Sequence, residues 1–511
     1  MNKVISRREF IGQASCAAVG GTAILSTLLN LRLAGSAAAQ SLPPAGADTE
    51  DFRALVCLFF AGGQDSYNML MPCGAEHATY ATTRGGVHDD VTNPGGLALA
   101  QNEILSLGNS GLLLGIHPSM TGLRSLYSRG KLAMVANVGT LAERITKAQY
   151  NTAGTKLPRG LYSHSDQQQQ WHTSMPGESR GIGWAGRAAD LLHSTKNDGR
   201  ISMNLSLAGN NVWQSGNTLF PYSVSASASS DAGGVYTHTG GGVALSDYDN
   251  ATIGDTSRTA TRTAAVNNLL GLQYKNLLES TCSQNPRGSI DNSAFFSAAL
   301  PPAVGAGALM TTFPGETGYS IDAAYVPDAD PARTLAAQLK MIVRSVAARD
   351  TLGLRRQTFF LNYGGWDHHD EVIGNQARML DIVSRCLVSF YAALEEIGAQ
   401  NQVTLFTASD FGRTLTSNGN GSDHAWGGNH FVLGGAVNGG LVYGAYPDLS
   451  LTGSSIVTSR GVTIPALSVD EYFGEMALWL GVAPGDLGAV LPRIGNFYTP
   501  GGARPVGFMK L

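Results

Sequence analysis

Imidazole and carboxylate side chains are concentrated in one short stretch of the chain. Residues 422–431 read SDHAWGGNHF, which brings Asp423, His424 and His430 close together in a protein with only 14% charged residues. Imidazole nitrogens and carboxylate oxygens, without thiolates, suit Zn²⁺, Mn²⁺ or iron, and Ca²⁺ or Mg²⁺ bind where oxygens dominate. Polar residues on a turn before the apolar strand pattern HFVLGGAV are the alternative interpretation. The stretch is therefore part of a metal site or a polar turn, and residues elsewhere must decide.

Acidic residues also follow three apolar, strand-like segments. Asp65 comes after ALVCLFF, and Asp410 comes after VTLFTAS. Asp367 and His369 come after QTFFLNY. In open α/β sheets, ligands bind beyond the carboxyl ends of the strands, so these side chains are expected to converge. Together with the stretch above they predict a site for one or two divalent ions, with the candidate ligands Asp65, Asp367, His369, Asp410, Asp423, His424 and His430.

These residues also have plainer interpretations. Asp65 is equally a turn acid in GGQDSYN, and Asp410 is equally a helix N-cap before Phe411. His368 and His369 are adjacent, so on an extended segment only one of them would face a site. The Asp-His pair beside the glycine turn is the least readily explained as structural.

Two further residues are candidates for catalysis. Ser163 lies in SHSD, which has the pattern of a helix start, where backbone N–H groups favour an anion. Ser163 or Ser165 is therefore a candidate nucleophile, although serine is also a common helix N-cap. Arg413 follows a strand end, where its guanidinium would hold an oxyanion or form a salt bridge.

The elements that must position these residues alternate between strand and helix patterns. Continuous apolar runs such as ALVCLFF and KLAMVANVG are typical of strands buried on both faces of a parallel sheet. Helix patterns at 332–348, 371–397 and 470–480 separate or follow such runs. The alternation predicts an α/β fold with helices on both faces of the sheet, as one domain over 52–500. A Ser-, Thr- and Gly-rich region at about 208–330 is predicted to be an irregular insertion or cap.

The N-terminus has the features of an export signal. Ser6 to Ile11 reads SRREFI, a twin-arginine pattern, and a mildly apolar stretch follows it. Small residues at 37–39 predict cleavage after Ala39, so 1–39 is expected to be a signal peptide and 40–51 a linker. An uncleaved membrane anchor is the alternative. The twin-arginine export machinery is therefore an expected partner, the location is periplasmic or secreted, and no integral membrane span is expected after signal removal.

Composition excludes several classes of function. The net charge of −4 and the absence of a basic stripe argue against nucleic-acid binding. The cysteines after residue 39 are Cys57, Cys73, Cys282 and Cys386, without a CxxC, so a cysteine metal cage is excluded while one disulfide remains possible. No GxGxxG follows a strand, and no haem or Fe–S spacing occurs, which disfavours an oxidoreductase.

An ordered set of segments resembles the bacterial DUF1501 family. The segments include FFAGGQDSYN, YSHSDQQQQW, GGWDHH, SDFGRT and DHAWGGNHFVLGGAVNGGLVYGAYPDL, and the resemblance runs over about 52–485. That family is similar to the alkaline phosphatase and sulfatase superfamily. The resemblance implies a three-layer α/β/α sandwich of alkaline-phosphatase-like type, with a mostly parallel central sheet and a one- or two-metal site at the strand ends.

The resemblance also implies roles for individual residues. Metal ligands would be Asp65, Asp367 with His369, Asp423 with His424, and His430, and the metal would be Zn, Mn, Ca or Mg. The superfamily nucleophile lies at a helix start, which corresponds to Ser163 here. The chain lacks a Cys/Ser-x-Pro-x-Arg motif, which argues against formylglycine chemistry.

Two functions are expected from the sequence. The first is an exported metal-dependent hydrolase of phosphate or sulfate esters, acting on a small-molecule or polymeric substrate. The second is a non-catalytic envelope or surface protein that keeps the fold and uses the region 208–330 as its interaction surface.

Overall fold

The computed structural model of the protein describes residues 52–108, 111–178, 181–230, 236–242, 291–316 and 331–510. The predicted signal peptide and linker lie outside these residues. So do Cys282 and the helix pattern at 264–280 within the predicted insertion. The expected domain boundaries therefore stay a prediction.

The strands of the described residues form one large sheet and one small sheet. In chain order they are β1 (Arg53–Phe60), β2 (Leu70–Pro72), β3 (Leu105–Ser106), β4 (Leu114–Ile116), β5 (Leu132–Gly139), β6 (Asn204–Ser206), β7 (Tyr222–Ser230), β8 (Tyr236–Gly242), β9 (Arg356–Tyr363), β10 (Val403–Ser409), β11 (Gly428–Gly434), β12 (Val442–Tyr443) and β13 (Leu467–Ser468). The large sheet has the order β12-β5-β11-β10-β1-β9-β6-β7-β8, with β13 also paired to β5. The small sheet has the order β2-β4-β3.

Helices lie between and after these strands. They are α1 (His77–Thr83), α2 (Thr121–Ser128), α3 (Lys147–Tyr150), α4 (His164–Thr173), α5 (Trp184–Lys196), α6 (291–299), α7 (Pro331–Ala347), α8 (Val372–Glu396), α9 (Val469–Leu480) and α10 (Leu487–Val490). The three long helix patterns of the sequence are thus confirmed to within a residue at each end. None of the helices in the described ranges is long and apolar enough to cross a membrane.

The centre of the large sheet is parallel, which confirms the predicted fold class. The strands β10, β1, β9, β6 and β7 run in one direction. Alternate residues of β1 pack into two separate cores, one against α2, α7 and α8 and the other against α4, α5 and α9. Every residue of β1 after Arg53 is buried, as a strand covered on both faces requires. The protein is therefore a three-layer α/β/α sandwich.

Strand register brings four chain segments to one edge of the sheet. Phe60 of β1 pairs with Tyr363 of β9 and with Ser409 of β10, so these three strands end level with one another. Strand β11 runs antiparallel to β10, so its first residue, Gly428, lies at that same edge. The residues after β1, β9 and β10 and those before β11 therefore meet. These are the segments that carry the candidate ligands.

The region 208–330 is more regular than expected, since it contains two paired strands and the helix α6. Residues 222–242 contain the antiparallel pair β7 and β8, which extends the large sheet beyond β6. The sequence of β7, YSVSASASS, consists mainly of serine alternating with alanine and contains few large apolar residues. Period-two alternation was present, but the residue types are not those that favour strands, so the pattern gave no strand prediction.

Cysteines of the described residues are free thiols. Cys57 and Cys386 are buried, as their apolar surroundings in the sequence indicated, and Cys73 is partly buried. Burial raises the pKa of the Cys57 thiol, so it is inert at neutral pH.

One buried acid makes the stability of this fold depend on pH. Asp470 lies in the first turn of α9 and is fully buried. Burial raises the pKa of its carboxyl to about 7, against smaller opposing effects of Ser174 and Arg187. The folded protein therefore retains a proton on this group at pH values where the unfolded chain has lost it. Stability from this group is present at acid pH and is lost as pH rises through about 7.

We expect Asp470→Asn to remove this dependence. Wild type and variant should unfold alike near pH 4, and the wild type should become less stable than the variant by up to about 4 kcal/mol near pH 8. Chemical denaturation at a series of pH values measures this difference. The matched control is Asp486→Asn at an exposed position, which should leave the wild-type pH profile in place. A wild-type stability that does not fall relative to Asp470→Asn would contradict the prediction.

Candidate metal centre

The common edge of β1, β9, β10 and β11 carries a compact cluster of histidines and acids. Asp367 and His369 follow β9, and Asp410 follows β10. Asp423 and His424 precede β11. The site is completed by the first residue of α4, which lies in the segment SHSD and was not among the predicted ligands. That residue is His164.

His424 turns one ring nitrogen toward Asp367. Its Nδ1 lies 2.8 Å from the carbonyl oxygen of Tyr162, which can only accept, so Nδ1 carries the proton. Its Nε2 lies 3.2 Å from Oδ1 of Asp367, and in the neutral ring this nitrogen has a lone pair. Burial, aided by nearby Arg413 and His164, lowers the pKa of His424, so the neutral form dominates at neutral pH.

His369 has the same arrangement. Its Nδ1 lies 3.1 Å from Oδ1 of Asp423, so this nitrogen donates to a carboxylate. Its Nε2 lies 3.2 Å from Oδ1 of Asp367 and 2.9 Å from Nε2 of His424. Burial opposes ionisation of Asp423, but hydrogen bonds from Asn418 and His369 and the charge of Arg460 outweigh it and lower the pKa of that carboxyl. Asp423 is therefore a charged acceptor that orients the ring.

His164 approaches Asp367 from α4. Its Nδ1 lies 2.6 Å from Oδ2 of the fully buried Asp410, and its Nε2 lies 3.4 Å from Oδ2 of Asp367. The Asp410 carboxylate also accepts from the amide of Gly62 at 3.2 Å and from Nε2 of Gln168 at 3.0 Å. Both oxygens of Asp410 are thus engaged. Asp410 orients His164 in the way that Asp423 orients His369.

Asp367 is the group on which the three rings converge. Nη1 of the buried Arg413 donates to its Oδ1 at 2.6 Å. Burial by itself raises the pKa of Asp367, but the hydrogen bond and charge of Arg413, with His369 and His164 nearby, outweigh burial and lower that pKa. The side chain is 44% exposed, so the cluster opens to solvent on this side.

The donor set fits a divalent metal ion. Two Nε2 lone pairs that face each other at 2.9 Å repel unless a cation or a proton lies between them. Ligand atoms of His164, Asp367 and His424 lie within 4.8 Å of one another. Histidines that donate Nδ1–H to a carboxylate or a carbonyl and leave Nε2 bare are the usual ligands of protein-bound zinc and related metals. An imidazole-rich set suits Zn²⁺, Mn²⁺ or iron better than Ca²⁺ or Mg²⁺.

Asp65 lies outside this cluster. Its carboxylate forms a fully buried ion pair with Arg84 at 2.7 Å and accepts from Oγ of Ser422 at 2.8 Å. Nη1 of Arg84 also donates to the carbonyl oxygens of Thr414 and Leu415, at 3.1 and 3.3 Å. Asp65 therefore anchors the segment between β10 and β11, and among the described residues no hydrogen bond or ion pair joins it to His164, His369 or His424.

His430 and His368 also lie apart from the cluster. The ring of His430 packs against Trp171, with centroids 4.8 Å apart, and burial lowers its pKa to about 3. His368 is buried beside Trp366, and burial lowers its pKa to about 4. Of the adjacent histidines 368 and 369, only the second reaches the site, as expected for an extended segment.

The two residues predicted to act in catalysis have other contacts. Oγ of Ser163 donates to Oδ2 of Asp166 at 2.8 Å and lies 3.3 Å from Oγ of Ser165. The guanidinium of Arg413 is fully buried and bonds to Asp367 and to the Ser422 carbonyl. In this arrangement Arg413 positions Asp367. Roles for Ser163 as nucleophile and for Arg413 as oxyanion holder stay predictions.

Backbone conformation at two places is required by the site. Tyr162 has a φ of 74°, a left-handed conformation that is unusual for a non-glycine residue, and this residue provides the carbonyl that holds His424. Gly62 has a φ of 118°, and a Cβ there would lie 2.5 Å from the backbone nitrogen of Asp367. The loop after β1 can approach the loop after β9 because Gly62 has no side chain.

Comparisons with known proteins identify a family segment and two distant structures. Residues 319–468 match the family described as "Protein of unknown function (DUF1501)", which confirms the resemblance to that family. No curated protein matches the sequence. The structure is similar to that of Ps i-CgsB in complex with k-i-k-neocarrahexaose, at 9% identity and a TM-score of 0.32, covering 84% of this chain and 72% of that one.

The second structure is a variant of the alkaline phosphatase PafA. It shows 11% identity and a TM-score of 0.24, and the alignment covers 72% of this chain and 64% of that one. A TM-score this low does not carry function from one protein to another. The family segment contains five of the cluster residues, Asp367, His369, Asp410, Asp423 and His424.

Replacing the partner of Asp65 tests its structural role. We expect Arg84→Met to lower the free energy of unfolding by about 3–5 kcal/mol, because the buried Asp65 carboxylate loses its counter-charge. The double variant Asp65→Leu with Arg84→Met should be more stable than Arg84→Met alone, since no uncompensated charge remains. Denaturant unfolding of the three proteins measures both effects. A double variant no more stable than the single one would show that Asp65 has another role.

Proposed function

We propose that this protein is an exported metal-dependent hydrolase of phosphate or sulfate esters, with one divalent ion held by His164, His369, His424 and Asp367. The observation that carries the proposal is the convergence of three Nε2 atoms on a single carboxylate, at 3.2 to 3.4 Å. Neutral rings that donate through Nδ1 present only lone pairs to one another and to this carboxylate. A cation among them removes the repulsion.

The surrounding residues would hold the ligands in their ligating form. Asp410, Asp423 and the carbonyl of Tyr162 each accept from one Nδ1, which keeps every Nε2 free. Arg413 fixes the direction of the Asp367 carboxylate. Such outer contacts set ligand orientation and basicity. A bound divalent ion would polarise an ester oxygen and lower the pKa of a water molecule.

Hydrolysis is supported by the exposure of the cluster and by the resemblance of the chain. Asp367, His369 and Asp423 are all partly open to solvent, so a substrate oxygen can reach the centre. A purely structural metal site is normally closed, whereas a catalytic one keeps an open position. The resemblance to the alkaline phosphatase and sulfatase superfamily favours phosphate or sulfate esters over other substrates.

A non-catalytic envelope or surface protein is the second candidate. The observation that favours it is the placement of Ser163, whose Oγ bonds to Asp166 and Ser165 rather than to a histidine of the cluster. A protein of this kind would bind the metal without turnover. Metal content and activity therefore have to be measured together.

Metal binding is the first prediction of this proposal. Mature protein purified from the periplasm and supplied with Zn²⁺ or Mn²⁺ should hold about one equivalent of metal, as measured by mass spectrometry of the metal content. Asp410→Asn should weaken binding about 10- to 100-fold, because His164 loses its orienting carboxylate. His424→Ala should weaken metal binding further. The matched control is His88→Ala, whose ring contacts Gly96 and Asp90 outside the cluster, and it should leave metal binding unchanged.

Activity on 4-nitrophenyl phosphate and 4-nitrophenyl sulfate separates the two candidates. Turnover that a chelator abolishes and that His424→Ala lacks supports the hydrolase. Stoichiometric metal without turnover of either ester or of other esters in a screen supports the non-catalytic protein. A folded protein that takes up no metal contradicts the hydrolase and the metal centre, and it leaves a non-catalytic protein that keeps only the fold.

Export is the second prediction of this proposal. Replacing Arg7 and Arg8 together by lysine should leave the precursor in the cytoplasm, because the twin-arginine pathway depends on that pair. Wild-type protein and the control Lys3→Arg should appear in the periplasm with Gln40 as the first residue. Cell fractionation and the mass of the intact protein measure this. If the variant with both lysines reached the periplasm at the wild-type level, export by the twin-arginine pathway would be ruled out.

A further inference from the structure

A cleft of about 500 Å³ runs beside the metal centre along α4. Ser165 and Gln168 contribute to its wall from α4, and Ala61 contributes from the end of β1. Gln168 also donates to Asp410, and the residue before Ser165 is the ligand His164. The cleft and the cluster therefore share a wall. A molecule bound with one group at the metal would place its neighbouring part in this cleft.

The chemistry of the lining is that of carboxamides. Five side chains of this type face the cleft, Gln168, Gln169, Asn210, Asn211 and Asn362. Among the described residues that line it there is no Asp, Glu, Lys or Arg. The one imidazole, His172, packs edge-on against Phe59 at 4.9 Å and Phe360 at 5.4 Å, and burial lowers its pKa to about 4. The cleft is thus polar and uncharged.

This lining discriminates between kinds of ligand. A carboxamide offers both donors and an acceptor, and a hydroxyl group offers the same pair of functions, so the two pair in either direction. An apolar group would remove water from these amides without replacing its hydrogen bonds, which disfavours binding. An ionic group would lose water and find no counter-charge. Phe59 and Phe360 also border the cleft, but they are only 2% and 3% exposed, so the carboxamides dominate the surface that a ligand meets.

The individual amides differ in how they are held. Asn211 accepts from the amide of Gln214 and donates to its Oε1, so its orientation is set by the loop after β6. Within the described ranges, no hydrogen bond involves the side chain of Asn210 or Asn362, and both are exposed. Two of the five carboxamides are therefore available to a ligand.

We propose that this cleft binds a neutral, hydroxyl-rich group, a sugar or polyol, which forms the alcohol part of the ester. The inference rests on the proposed function in naming the ester, but the binding of the neutral group does not require turnover. Asn210 and Asn362 contact its hydroxyls. The charged part of the substrate lies at the cluster, and the neutral part lies in the cleft.

Binding of free neutral sugars tests the cleft without the ester. Saturation-transfer NMR on the metal-loaded protein would use neutral mono- and disaccharides as probes, with glucuronate, cyclohexanol and a blocked triglycine peptide as comparisons. We expect at least one neutral sugar to bind and the three comparison compounds not to bind. Asn210→Leu and Asn362→Leu should each weaken sugar binding about three- to ten-fold, because each removes a hydrogen bond. The matched control Asn102→Leu, at an exposed position away from the cleft, should not.

The outcomes separate this inference from the proposed function. If the two cleft variants weaken sugar binding but no ester is hydrolysed, the proposed sugar site is supported and the proposed hydrolase is contradicted. Turnover of 4-nitrophenyl esters with no sugar binding, or with binding equal in all variants, overturns the cleft and leaves the hydrolase. Preferential binding of the peptide or of cyclohexanol also overturns it. In a protein that does both, the cleft variants should lower kcat/KM for a sugar phosphate about three- to ten-fold more than for 4-nitrophenyl phosphate.

Discussion

The hydrogen bond from Arg413 to Asp367 is the contact on which the candidate site depends. The guanidinium is fully buried and the carboxylate is half exposed, so a rigid cation holds an anion at the surface of the sheet edge. Three imidazole rings then meet at that carboxylate, each oriented by an acceptor on its far nitrogen. Without a fixed Asp367 the rings would have no common point. The arrangement has the layered form of a metal site, with ligands inside and orienting acceptors outside.

A second buried charge pair, between Arg84 and Asp65, connects the candidate site to the core. Arg84 pairs with Asp65, which accepts from Ser422, and the carbonyl of Ser422 accepts from Arg413. Each link uses a group that would be costly to bury alone, so the pairs stabilise one another. Asp65 thus contributes to the site through Ser422 and Arg413 rather than by direct ligation. The adjoining carboxamide cleft, by contrast, has no Asp, Glu, Lys or Arg in its lining.

Local patterns in the sequence predicted most of the architecture. The apolar run ALVCLFF, buried at every position from Ala54 to Phe60, is a parallel strand because both of its faces are covered. The long helix and its neighbours were predicted to within a residue, since their periodicity and caps are local properties. The antiparallel pair of β7 and β8 escaped prediction because β7 consists mostly of Ser and Ala and β8 ends in three glycines, residue types with little strand preference of their own.

The sequence by itself determined which residue types lie at the strand ends, because strand ends and glycine turns are recognisable from a few consecutive residues. It thereby brought Asp367, His369 and His424 to one edge. Only the tertiary structure decided which of them share a centre. His164 belongs to the cluster because its ring contacts Asp410, which is 246 positions away in the chain. Asp65 does not belong to it, and its carboxylate is paired with Arg84. Which nitrogen of a histidine is free depends on the acceptor opposite the other, and that acceptor is supplied by a distant segment of the folded chain.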